Sequence, residues 1–156
     1  MEEELVKYLT ENKLTITTAE SCTGGMISST LVNVPGASWV LNEAYVTYAN
    51  EAKEKLVGVS HETLEKFGAV SKETAYEMAE GAAKAANADC AIAVTGIAGP
   101  DGGTDEKPVG TVYAGFFVKG TVYVERYNFT GSRYDVRRQT ADKAVSRLYE
   151  LLVNRV

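Results

Sequence analysis

The sequence predicts an α/β fold: a three-layer α/β/α single domain over residues 1–156, with a mixed, mostly parallel sheet and a hairpin in its C-terminal half. Three observations predict it. Short β-branched or apolar segments alternate with segments of helical period through residue 95, the order of βα units. Residues 89–95 are almost wholly apolar, the pattern of a strand buried on both faces. Two alternating stretches, 109–118 and 121–129, flank Lys119-Gly120 and read as a hairpin.

The elements follow in order. Residues 3–12 form a short helix with Leu5, Tyr8 and Leu9 on one face. Leu14 to Thr18 is the first strand, and Thr23 to Val32 a helix with Met26, Ile27 and Leu31 at helical spacing. Ala44 to Tyr48 is a second strand. Asn50 caps a helix over 51–56 that Gly58 closes, and Ser60 caps another that ends at Gly68. Ser71 opens a longer helix whose stripe is Ala75, Met78, Ala79 and Ala82. After the strand at 89–95, residues 96–108 form a loop with four glycines and two prolines. Ser132 with Asp135 is a capping box for the last helix, whose face is Val136, Ala141, Ala144 and Leu148.

Composition narrows the function. The chain is 45% hydrophobic and 24% charged, an ordinary globular balance, with a formal net charge of -5. That charge argues against a nucleic-acid-binding surface. Two cysteines without a CxxC make neither a zinc site nor a disulfide framework. The acidic Met1-Glu2-Glu3-Glu4 start is not a signal peptide, and no apolar run reaches the roughly 20 residues of a membrane span. A cytoplasmic protein is expected. The acids show no EF-hand or HExxH spacing, so no metal is indicated.

Three segments carry chemistry, and each follows a predicted strand, where ligands of open α/β sheets bind. The first is Thr17-Thr18-Ala19-Glu20-Ser21-Cys22-Thr23-Gly24-Gly25. Glycines at a helix start leave N–H groups free to hold an anion, so Ser21 is a candidate nucleophile with oxyanion donors next door. Ser21 or Thr23 acting simply as the N-cap is the competing reading. Cys22 is a rival nucleophile, since thiolates form readily at helix N-termini, or else a small packing residue. The single histidine, His61, follows a cap residue and reads as an exposed first-turn side chain, so a Ser-His-Asp triad is poorly supported.

A lysine can act as base if its environment keeps the amine neutral. Lys53, on the first turn of a helix after the strand bearing Tyr48, is the best placed, with Tyr48 orienting it or relaying a proton. A solvated lysine and a strand-end aromatic are the alternatives. The third segment, Thr95-Gly96-Ile97-Ala98-Gly99-Pro100-Asp101-Gly102-Gly103-Thr104, has N–H groups suited to cradling phosphate, although a structural turn is equally consistent. It is neither a Walker A loop nor a GxGxxG helix start. Arg133, Arg137 and Arg138 could clamp the phosphate or lie exposed on the last helix.

Taken together, TTAESCTGG at 17–25, VTYANEAKEKLVGV at 46–59, GAVSKETAYEMAEGA at 68–82 and TGIAGPDGGTDEKPVGTVY at 95–113 resemble the CinA C-terminal domain family. GSRYDVRRQTA at 131–141 is similar to the start of that family's last helix. The family's stand-alone members are nicotinamide-mononucleotide amidohydrolases of the PncC type. The resemblance implies hydrolysis of the carboxamide of nicotinamide mononucleotide to nicotinate mononucleotide and ammonia, in pyridine nucleotide salvage, without metal or organic cofactor. It places the nucleophile on Ser21, the base on Lys53 and the tyrosine on Tyr48. Backbone groups of Cys22, Thr23, Gly24 and Gly25 would hold the oxyanion. Thr95, Gly96, Ala98 and Gly99, with Arg133 or Arg137, would hold the ribose phosphate. A homodimer or higher homo-oligomer is also implied.

Two other classes compete. Ser, Tyr and Lys also mark short-chain dehydrogenases, but those need Tyr-x3-Lys, and Tyr48 to Lys53 is Tyr-x4-Lys. The other class is a non-catalytic nucleotide- or partner-binding module linked to competence.

Overall fold

The computed structural model describes residues 1–154. The elements are α1 (Glu2–Glu11), β1 (Ile16–Glu20), α2 (Met26–Val32), a 3-10 turn (Ala37–Trp39), β2 (Tyr45–Val46), α3 (Asn50–Val57), α4 (His61–Phe67), α5 (Lys72–Ala86), β3 (Cys90–Gly96), β4 (Thr111–Val118), β5 (Thr121–Asn128) and α6 (Arg133–Val153). The five strands form one mixed sheet in the order β2-β1-β3-β4-β5. β1 pairs in parallel with β2 and β3, whereas β3–β4 and β4–β5 are antiparallel.

Helices cover both faces. On one face Leu5, Leu9, Ile27, Leu31 and Leu148 pack onto Ile92, Val94 and Phe116. On the other, Met78, Ala79, Ala82 and Ala83 of α5 pack onto Ala91 and Ala93. Strand β3 therefore alternates large side chains toward α2 and α6 with alanines toward α5, as a strand buried on both faces must. The small residues let α5 sit close to the sheet. A Cβ added at Gly115 would come within 2.4 Å of the Ala75 carbonyl oxygen. Among the described residues no helix is long and apolar enough to cross a membrane.

The expected elements are present, with shifts at their ends. β1 runs two residues later than the 14–18 expected, so Ser21 follows its last residue directly. α2 starts at Met26 rather than Thr23, because Gly24 and Gly25 take φ of 57° and 105°, outside helical space. Only Tyr45 and Val46 of the expected 44–48 strand pair, since β2 lies at the sheet edge with β1 as its one neighbour. Asn50 is the first residue of α3 rather than its cap, a place taken by Ala49 without a side-chain bond. The 3-10 turn was not expected. Ser71 caps α5 through Thr74 N–H, and the Ser132–Asp135 capping box is formed.

This topology dictates where a ligand binds. From β1 the chain moves to one side through α2 to β2, then crosses to the other side through α3–α5 to β3. The strand order reverses there, opening a crevice at the carboxyl ends of β1 and β3. Ser21 and the loop after Gly96 stand at those ends.

Candidate active site

A cleft of about 290 Å³ occupies the crevice. Of the residues expected in the site, Ser21, Cys22, Tyr48, Lys53, Thr95, Gly96, Ala98, Gly99 and Arg133 line it. Asp101, within the 95–104 segment, lines it too, as do Asn50, Ala69 and Val70, which sequence reasoning missed. Reading Asn50 as a cap hid it. Ala69 and Val70 lie on the link between α4 and α5, which carries no local chemical signal.

Lys53 is 1% exposed. Its Nζ lies 3.3 Å from Ser21 Oγ and 3.3 Å from the Tyr48 carbonyl oxygen. Among the described residues it makes no ion pair. Burial without a carboxylate penalises the charged amine, and it holds the Lys53 pKa below the ordinary lysine value, opposed only in part by Cys22. A neutral amine can donate one N–H to the Tyr48 carbonyl and turn its lone pair to the Ser21 hydroxyl. The pair thus has the geometry of a nucleophile and its base.

Tyr48 contributes differently from expectation. Its backbone carbonyl, not its phenol, touches Lys53 and Ser21. The side chain is 61% exposed, and its hydroxyl accepts a hydrogen bond from Arg133 Nη2 at 3.0 Å. A proton relay through the phenol is therefore not built into this arrangement. Cys22 is buried, and burial pushes its thiol up to about 12, with Glu20 as a further raising influence. A thiol held that high supplies little thiolate at neutral pH, which weighs against Cys22 as the rival nucleophile. His61 is exposed and lies between Glu54 and Glu65, apart from the cleft.

The turn after Ser21 also departs from expectation. Thr23, Gly24, Gly25 and Arg137 do not line the cleft. The Thr23 hydroxyl donates to Glu20 Oε1 at 2.7 Å. The N–H groups of Ile27 and Ser28, at the start of α2, donate to the Glu20 carboxylate at 2.7 and 3.0 Å. Glu20 thus occupies the positive end of α2 that was expected to serve an oxyanion. Gly24 N–H donates to the Ser21 carbonyl, whereas the N–H groups of Cys22 and Thr23 donate to no backbone carbonyl among the described residues. From α6, Arg137 donates through Nε to the Cys22 carbonyl and through Nη2 to the Thr23 carbonyl, both at 3.0 Å. Arg137 therefore braces the turn from outside the cleft.

Arg133, one helical turn earlier, faces the cleft. Its Nη1 donates to the Gly99 carbonyl at 2.7 Å. The N–H groups of Ala98, Gly99, Asp101, Gly102 and Gly103 find no acceptor among the described residues. Together with the Arg133 guanidinium they offer a cradle for a phosphate. The Thr95 hydroxyl donates to the Ala69 carbonyl at 2.7 Å, so it ties β3 to the far wall while still able to accept. Arg138 turns away, to Thr30 and Asp142. Among the described residues no cluster of three or more His, Cys, Asp or Glu side chains could hold a metal.

Comparison with known proteins agrees on one family. Residues 1–152 match the CinA C-terminal domain. A CinA-like protein of Kosmotoga olearia is 53% identical over 141 residues, 90% of this chain and 34% of its own length. The chain thus spans about a third of the curated relatives it matches. The crystal structure of the competence damage-inducible protein A (ComA) of Klebsiella pneumoniae superposes with a TM-score of 0.95 at 35% identity, covering 99% of this chain and 96% of that one. The competence/damage inducible protein CihA of Agrobacterium tumefaciens superposes with a TM-score of 0.90 at 42% identity, covering 96% and 94%.

Proposed function

We propose that this chain, which belongs to the CinA C-terminal domain family, hydrolyses the carboxamide of nicotinamide mononucleotide to nicotinate mononucleotide and ammonia. One observation carries the reading: a buried lysine, without a carboxylate partner among the described residues, 3.3 Å from a serine hydroxyl that lines a cleft. A lysine whose pKa is lowered in this way can serve as the base for a serine beside it.

The chemistry proceeds in two halves. Lys53 Nζ takes the proton of Ser21 Oγ directly as Oγ attacks the carboxamide carbon. The N–H group of Cys22, which lines the cleft beside Ser21, stands nearest for the developing oxyanion. The Tyr48 carbonyl holds the ammonium that forms. Lys53 then returns its proton to the amide nitrogen, which leaves as ammonia. Water, deprotonated by Lys53, attacks the ester, and Ser21 regains its proton as the acid departs. The cationic pyridine ring withdraws electrons from the carbonyl, which favours attack by an alkoxide. The N–H groups of the 98–103 loop and Arg133 suit the phosphate at the other end of the substrate.

The test is release of ammonia from nicotinamide mononucleotide by purified protein without added metal or cofactor. Turnover that is absent from Ser21→Ala and retained in Cys22→Ala is expected. Turnover that survives Ser21→Ala contradicts the mechanism. Tight nucleotide binding without turnover contradicts the enzyme reading and favours a binding module.

A further inference from the structure

We infer that Glu20, which no step of the proposed reaction uses, is the positioning residue that keeps Ser21 within reach of Lys53. The inference rests on the reading of Ser21 as nucleophile. Among the described residues only two side chains of charged type are buried, Glu20 and Lys53, and both adjoin Ser21. Glu20 is 0% exposed and is the last residue of β1.

Strand alternation separates their tasks. Ile16 faces α2 and α6, and Ala19 faces α5. With a period of two, Glu20 points to the α2 side and Ser21 to the side from which Lys53 approaches. The hydrogen bonds follow this division. Thr18 Oγ1 and Ser28 N–H donate to Glu20 Oε2 at 3.1 and 3.0 Å. Thr23 Oγ1 and Ile27 N–H donate to Oε1, each at 2.7 Å. Four donors on two oxygens, two of them at a helix N-terminus, suit an ionised carboxylate. None of the four is Lys53, so the carboxylate is engaged by the turn and not by the amine.

Glu20 thereby fixes both ends of the turn that carries Ser21. Its main chain is locked in the sheet, where its carbonyl accepts Thr47 N–H at 2.9 Å. Its side chain grips Thr23 and the first turn of α2. The Ser21–Lys53 contact of 3.3 Å is already long for a hydrogen bond, so a shift of about 1 Å breaks it. Glutamine has the same shape but presents an NH2 to donors. It would lose two of the four bonds and let the turn move.

The experiment compares wild type, Glu20→Gln and Leu148→Ala, a truncation in the core beneath α6. The first readout is the rate at which a fluorophosphonate probe labels Ser21, located by peptide mass spectrometry. It assumes nothing about the natural substrate. The second is kcat and KM for ammonia release from nicotinamide mononucleotide. Leu148→Ala is expected to melt at a lower temperature yet label Ser21 at the wild-type rate per folded molecule. Folded Glu20→Gln is expected to label about 100-fold more slowly, with kcat reduced to a similar degree and KM changed less than about threefold. Labelling of Glu20→Gln within about threefold of wild type, or a loss confined to KM, overturns the inference.

If Glu20→Gln does not fold, Thr23→Val decides. It removes one donor and keeps the charge, and labelling about five- to tenfold slower is expected. A wild-type rate overturns the inference. Wild type that labels at Ser21 but releases no ammonia overturns the nicotinamide nucleotide reading and leaves Glu20 tested. Wild type that does not label at Ser21 overturns both.

Discussion

The two glycine-rich segments of this protein have similar composition and opposite uses. The turn at 22–25 is held from below by the Glu20 carboxylate and from above by Arg137. Its glycines serve the sharp reversal that brings the chain from β1 into α2. The loop at 96–104 leaves five N–H groups without acceptors among the described residues and meets the solvent. Its one arginine neighbour, Arg133, ties it to Tyr48 across the cleft. On the proposed reading, the first segment positions the reacting atom and the second receives the ligand. Glycine content alone does not separate the two. What separates them is whether side chains from other elements have already taken the backbone groups.

The comparison makes graded predictions. Ser21→Ala should lower kcat by about 10⁴-fold while nucleotide binding to the 96–104 loop persists, measured by calorimetry beside the ammonia assay. Lys53→Met should lower kcat by about 10³-fold, and unlike most losses of function it should not destabilise. An unpaired buried amine costs stability, and an apolar side chain of similar length removes that cost. Chemical denaturation should show a midpoint equal to or above that of wild type.

The same variant carries a pH signature. The folded-state pKa of Lys53 lies below its unfolded value. Between the two, the unfolded chain binds more protons, so stability rises with pH across that window and is diminished below it. Lys53→Met should remove that part of the slope. Activity has the same direction, rising with pH as the amine becomes neutral.

Smaller effects divide the two arginines, four residues apart on α6. Arg137→Ala loosens the turn, so it should lower kcat by about 10- to 100-fold with little change in KM. Arg133→Ala removes a cation from the ligand loop, so it should raise KM by about tenfold or more with a smaller effect on kcat. Steady-state kinetics that reverse this split would undo the division between the segments. Cys22→Ala should reduce turnover by less than about fivefold, because a thiol held near 12 supplies no thiolate.

Much of the fold was legible because periodicity and capping chemistry are local. The apolar run that became β3, the hairpin at Lys119-Gly120 and the Ser132–Asp135 capping box all carry their signals within a few residues. The end of β2 was not legible, since whether Thr47 and Tyr48 pair depends on an edge position that only the assembled sheet defines. In the site, Ser21 and Lys53 could be named from residue type and from their places after strands. The role of Tyr48 could not, because a backbone carbonyl makes the contact and every residue has one. Arg137 and Arg133 share a helix face in the sequence, and only tertiary contacts send one to the turn and the other to the loop. Glu20 did leave a trace: a lone acid at the end of an otherwise apolar and threonine-rich strand.

The central claim is that Lys53 is neutral when it meets Ser21. NMR titration of the Lys53 side chain, through its 13Cε and 15Nζ shifts in wild type, tests this most directly. The account predicts a midpoint below the ordinary lysine value and coincident with the rise of kcat/KM. An amine that stays charged into the ordinary lysine range, while activity is already full at lower pH, would contradict it.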